Sequence, residues 1–167
     1  MVAYANVNIG TAGTYGGPAT QWVGTNGLVT CLGVFMMVNG QGVFAGHGSC
    51  QVQVPGPGPE FDAVAAAFSD LLTGAVGAFD PNVHTNIQLF SGGTDPAMSA
   101  LRAGVAQWCG AAPPFTGWDS FRVKLDGTGL TYVRSSDAGT PVNGPFPFDV
   151  PVPLEPGPAI PPDNLMQ

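Results

Sequence analysis

From Leu28 to Val38 the chain is almost without a polar side chain, Thr30 being the exception. A short polar stretch, Asn39-Gly40-Gln41-Gly42, separates this run from a second one, Val43-Phe44-Ala45-Gly46-His47. A strand that is apolar at successive positions needs cover on both faces, whereas an alternating strand needs it on one. The glycine-rich interval has the composition of a hairpin turn, so the two runs are expected to pair antiparallel about a centre near Gly40. That register brings the positions around Cys31 and His47 roughly opposite each other.

The rest of the chain supplies layers for such a hairpin. Residues 1–20 are rich in Gly, Ala and Thr, with a short edge strand expected at Asn6–Gly10, and Trp22-Val23 begins the first solid strand. The second run of the hairpin continues towards Val54, where Pro55-Gly56-Pro57-Gly58-Pro59 stops it. Phe61, Val64, Ala65, Phe68, Leu71, Leu72 and Ala75 then recur at helical spacing behind Glu60 and Asp62, charges suited to a helix start. A strand is expected at Ile87–Phe90. A second helix follows over Ala97–Cys109, capped by Asp95-Pro96 and closed by Gly110. Phe121, Val123 and Leu125 alternate with polar residues before Asp126-Gly127-Thr128-Gly129 turns into Leu130–Val133, a last hairpin. The order predicts an α/β (α+β) class: one layered sandwich, a mainly antiparallel sheet with two helices on it. Residues 21–136 form the domain in this reading. Residues 1–20 precede it, and 137–167, crowded with prolines that remove ladder donors, follow as an extended arm that lies across the domain through Phe146, Phe148, Val150 and Val152 or stands in solvent.

Composition narrows the class of partner. Only 9% of the 167 residues are charged, and 11 acidic residues against 4 basic ones leave a net charge of -7. Such a chain repels phosphate backbones and anionic membranes, which argues against nucleic acid. No apolar run reaches the length of a membrane span and no signal-peptide pattern opens the chain, so a soluble, unprocessed protein is expected. Three cysteines without tight spacing do not form a disulfide framework; a reducing compartment is the simpler reading, although Cys31 with Cys50, or either with Cys109, could pair in an exported protein.

A thiol facing an imidazole is the minimum equipment for nucleophilic catalysis, with the ring taking the thiol proton and a third group orienting the ring. Cys31 and His47 fill the first two places, and Thr25, six residues before the cysteine, is the candidate for the third. Taken singly, a cysteine in an apolar run is more often a small buried hydrophobe. Cys31, His47, Cys50 and Cys109 or His84 have the types of a metal site, but no close CxxC pair supports one, and no metal is assigned. His84 reads as a core or surface residue. Gly24-Thr25-Asn26-Gly27 and Ser91-Gly92-Gly93-Thr94 lack the phosphate-loop lysine and the dinucleotide spacing, so no cofactor is assigned; they read as turns or as walls of a shallow site.

Thr25, the segment Leu28-Val29-Thr30-Cys31 and His47 together resemble the site of the CheD family of chemoreceptor glutamine deamidases and, more distantly, the deamidase domains of the cytotoxic necrotizing factor toxins. The order of elements over about residues 20 to 135 is also similar, including the Phe90-Ser91-Gly92-Gly93 turn after a strand. Val29-Thr30 stands where the family commonly has Gly-Ser, and Gly48-Ser49-Cys50 follows the histidine in place of an apolar run with a proline. The resemblance implies a CheD-like layered fold and a hydrolase that converts a protein glutamine to glutamate with release of ammonia. Cys31 would be its nucleophile, His47 its proton shuttle and Thr25 the orienting group. It further implies a protein substrate presenting an exposed glutamine, no cofactor, and a place in a bacterial cytoplasm or, for an effector, in a host cell. The alternative is a catalytically silent protein-binding module of the same fold.

Overall fold

The computed structural model describes residues 4–7, 9–15, 23–50, 52–126, 129–134, 141–142 and 152–153. Its centre is the hairpin of β4 (Leu32–Val38) and β5 (Gly42–Gly48), paired from Val38 opposite Gly42 to Leu32 opposite Gly48. Gly40 and Gly42 take φ of 80° and 121°, conformations in which a side chain would be strained, and the Gln41 N–H donates to the Val38 carbonyl at 2.9 Å. The two apolar runs thus become neighbours because the turn between them can be tight. Leu28 to Cys31 are a bent approach rather than strand, and the second run leaves the sheet after Gly48.

Both faces of this hairpin are covered, as its unbroken hydrophobicity requires. On one face Leu32, Val34, Met36, Val38 and Phe44 meet Val64, Phe68 and Leu72 of α1 (Pro59–Val76) and Met98, Leu101, Val105 and Trp108 of α2 (Pro96–Cys109). These are the apolar stripes expected of the two helices. Asp95 caps α2 by accepting from the Ala97 N–H at 2.8 Å, and Gly110 ends it in the left-handed region. The helices touch closely at Gly104, where a Cβ would stand 2.6 Å from the Ala65 carbonyl oxygen.

The hairpin belongs to a six-stranded sheet of order β11-β2-β5-β4-β6-β7, completed by β2 (Thr11–Tyr15), β6 (His84–Phe90), β7 (Phe115–Thr116) and β11 (Val152–Pro153). A five-stranded sheet of order β10-β1-β3-β8-β9 lies on its other face, made of β1 (Tyr4–Asn6), β3 (Val23–Thr25), β8 (Phe121–Asp126), β9 (Gly129–Arg134) and β10 (Pro141–Val142). Between the sheets pack Leu28, Cys31, Phe35, Val43, Phe90 and Phe121, with Val7, Val23 and Ala45 beside them. Gly33 leaves room for the Phe121 ring, since a Cβ there would sit 2.6 Å from Phe121 Cε1. Among the described residues the class is α+β with two helices, and the strand pairings are mostly antiparallel; β1 with β3, β1 with β10 and β6 with β7 are parallel.

Two features differ from the sequence reading. The strands form two sheets, because the hairpin's second apolar face takes a sheet as its cover while the helices take the first. Residue 20 is also no boundary: β2 pairs with β5 over four positions, and Ala12 is fully buried in the helix-side core. The proline-rich C-terminal stretch contributes β10 and β11, both at sheet edges, where a missing N–H costs no ladder bond. Trp22, the 127–128 turn, Phe146, Phe148 and Val150 lie outside the described residues. Among the described residues no helix is long and apolar enough to cross a membrane.

Candidate active site

The start of β4 and the ends of β3, β5 and β6 meet at one end of the sandwich. His47, on β5, stands opposite Gly33, and Cys31 lies two residues before Gly33 on the bent approach to β4. A turn centred on Gly40 gives this register; Cys31 and His47 both lie on the face turned to the second sheet, offset along the hairpin, and no hydrogen bond joins Cys31 to His47 Nε2. Cys31 belongs to the apolar cluster between the sheets and is 5% exposed; His47 is 4% exposed and Thr25 1%. All three cysteines are thiols.

Thr25 reaches His47 from the opposite sheet. Its Oγ1 lies 2.6 Å from His47 Nδ1 and donates to the Val7 carbonyl at 2.8 Å. A hydroxyl has one proton, and here Val7 takes it, so Oγ1 meets the ring with a lone pair and Nδ1 is the nitrogen that carries hydrogen. The neutral ring therefore presents its lone pair at Nε2. That atom is buried and has no hydrogen-bond partner among the described residues. Removal from water disfavours the imidazolium, and the His47 pKa falls from 6.5 to about 4. At neutral pH the residue is a neutral base whose basic nitrogen is buried and available. The Gly10 N–H, donating to the His47 carbonyl at 2.8 Å, fixes the backbone behind it.

The segment before Cys31 is clamped from two sides. Leu28 donates to the Asp119 carbonyl at 2.8 Å, and its own carbonyl accepts from the Gly92 N–H at 2.7 Å and from Ser91 Oγ at 3.3 Å. Gly93 passes so close that a Cβ would fall 1.6 Å from the Val29 carbonyl oxygen. Ser91-Gly92-Gly93 is thus more than a turn: at Gly93 only a residue without a side chain lets its backbone meet that of Val29, and at Gly92 a Cβ would press on Asp119. Sequence reasoning missed this clamp and the Val7 carbonyl, because each depends on a partner distant in the chain; the paired glycines after a strand were the one available signal. Beside Thr30 a cavity of about 340 Å³ is lined by Cys50, Val52, Gln53, Val54, Asp95 and Ala97.

The other candidate ligands lie elsewhere. His84 is buried at the far end of β6, accepting from the Asp80 N–H at 3.0 Å and donating to the Val76 carbonyl at 2.7 Å, with Phe79 and Trp108 against its ring. Both nitrogens are satisfied, so it is a core histidine. Cys50 packs on the helix-side core, whereas Cys31 packs between the sheets. Among the described residues no three His, Cys, Asp or Glu side chains gather as metal ligands. No family model matches the chain, and no curated protein matches it in sequence.

Proposed function

We propose that this chain is a protein-glutamine deamidase with a CheD-like layered fold and a Cys31-His47-Thr25 site. The observation that carries the reading is the hydrogen bond from His47 Nδ1 to Thr25, which leaves a buried, unpartnered lone pair on Nε2 at the face of the sheet shared with Cys31. A core histidine is expected to have both nitrogens satisfied, as His84 does.

In this mechanism the Cys31 sulfur attacks the carboxamide carbon of a glutamine side chain while its proton passes to His47 Nε2. The C=O π bond opens to a tetrahedral oxyanion. The imidazolium then protonates the nitrogen, the C–N bond breaks, and ammonia leaves behind a thioester. Water attacks the thioester carbon, giving its proton to the again neutral His47, and the C–S bond breaks to release glutamate and the thiol. Thr25 accepts a hydrogen bond from Nδ1 throughout and holds the ring. A hydroxyl stabilises the imidazolium less than a carboxylate does, so turnover is slow. No cofactor takes part, the partner is a protein with an exposed glutamine, and the setting is a bacterial cytoplasm or a host cell entered as an effector.

The test is incubation with glutamine-bearing proteins, reading ammonia and a gain of about one mass unit per site, the amide-to-acid change. Turnover that survives Cys31→Ala would refute the mechanism. One observation favours a second reading, a silent binding module: Cys31 and His47 are almost closed to solvent. That reading expects no ammonia and an inert thiol.

A further inference from the structure

Cys31 and His47 can react only if a substrate reaches them, and the contacts around them trace a path to the surface. Gly33, opposite His47, leaves a space that two side chains fill: a Cβ there would stand 2.6 Å from Phe121 Cε1 and 2.8 Å from Leu28 Cδ1. Phe121 stacks on Phe90 with 4.4 Å between ring centroids, and Phe90 stacks on Trp118 at 5.7 Å with the ring planes 17° apart. Leu28, Phe90 and Phe121 share one buried cluster with Cys31, and the partly buried hydrophobic side chain packed against that cluster is Trp118. Among the described residues, the apolar cluster that holds the thiol therefore meets solvent at this indole.

Trp118 can turn without unfolding its surroundings. It lies in the loop between β7 and β8, and backbone groups hold that loop: the Trp118 N–H donates to the Thr116 carbonyl at 2.8 Å, and the Asp119 carbonyl accepts from the Leu28 N–H at 2.8 Å. Rotation about the side-chain torsions leaves both bonds intact, and a half-buried side chain changes rotamer far faster than a sheet opens. The loop is also uncrowded beside it, since a Cβ on the exposed Gly117 would find its nearest contact, the Ser91 carbonyl oxygen, only at 3.9 Å. Phe90 and Phe121, at 2% and 0% exposure on paired strands, move only if the sandwich opens.

We infer that Trp118 gates the site: its indole closes the outer end of the Phe121-Phe90 stack, and turning it outward opens the way to Cys31. The inference rests on the deamidase reading for what enters, an unbranched side chain that ends in a carboxamide. The gate itself concerns access to the thiol and is measured without turnover.

Alkylation of the full chain with iodoacetamide tests it, with the rates at Cys31, Cys50 and Cys109 followed separately by peptide mass spectrometry. Trp118→Ala and Trp118→Phe are compared with the unsubstituted chain, each with and without His47→Gln, so that access is also read where the imidazole cannot assist the thiol. Trp118→Ala is expected to raise the Cys31 rate about tenfold in both backgrounds, and Trp118→Phe, which keeps a ring against Phe90, about twofold or less. Cys50 and Cys109, which pack on the helix-side core, serve as internal references and should keep their rates. An unchanged Cys31 rate in Trp118→Ala would overturn the gate, and so would an equal rise at all three thiols, which marks a loosened fold. Ammonia release from glutamine-bearing proteins is read separately. A faster Cys31 in Trp118→Ala without ammonia from any chain refutes the deamidase reading and leaves the gate standing.

Discussion

Thr25 and His47 belong to different sheets and are joined by a 2.6 Å contact between Oγ1 and Nδ1, with the threonine proton committed to the Val7 carbonyl. The pair therefore ties the two layers together and sets the tautomer at once. Thr25→Ala is expected to lower ammonia release about ten- to a hundredfold, the worth of one orienting hydrogen bond, and to lower stability by about 1–3 kcal/mol because Val7 and Nδ1 lose a buried partner. Thr25→Ser keeps the oxygen and should restore most of both. Loss of activity in Thr25→Ser equal to that in Thr25→Ala, in a folded protein, would remove the orienting role.

Burial of His47 makes stability depend on pH. Its pKa is about 4 in the folded chain against 6.5 when solvated, so between these values the unfolded chain binds the extra proton and stability rises with pH. The full contribution is present above about pH 6.5 and is lost as pH falls towards 4, about 3 kcal/mol in all. Urea titrations from pH 7.5 to 4 should show this slope and lose it in His47→Gln.

The same value places the acid limb of activity. The proposed mechanism requires Nε2 unprotonated, so any kcat/KM for ammonia release should fall only as pH approaches about 4. An acid limb near 6.5, the value of a solvated ring, would mean that the imidazole works exposed.

Gly93→Ala tests the clamp on the cysteine loop. A methyl group would meet the Val29 carbonyl oxygen at 1.6 Å, so one of the two backbones must move. The expected cost is about 1–3 kcal/mol or more, with activity reduced by displacement of Cys31. Gly56→Ala, with nothing within 4 Å of the added methyl, should be near neutral by the same thermal melts.

Much of this was legible in the chain because it is local. The helices follow from apolar spacing, Asp95-Pro96 and Gly110, and the central hairpin follows from Asn39–Gly42 between two apolar runs. The division into two sheets was not legible. It depends on β3 pairing with β1 and β8 instead of joining the hairpin, a non-local choice that strand composition does not encode. The site was partly legible: spacing brought Cys31, His47 and Thr25 forward as candidates. The register, with His47 opposite Gly33, is the one a turn centred on Gly40 gives, whereas the route of the threonine proton to Val7 appears only when distant segments are assembled.

The central claim is that Cys31 is a nucleophile assisted by His47, and it is tested most directly by site-resolved alkylation with iodoacetamide, a reagent that carries a carboxamide. Cys31 is buried, while Cys50 and Cys109 are partly exposed, so access alone ranks Cys31 slowest. Peptide mass spectrometry after short exposures at neutral pH should instead find Cys31 modified first, with that advantage lost in His47→Gln. Labelling that follows exposure, with Cys31 last in both proteins, would contradict the account.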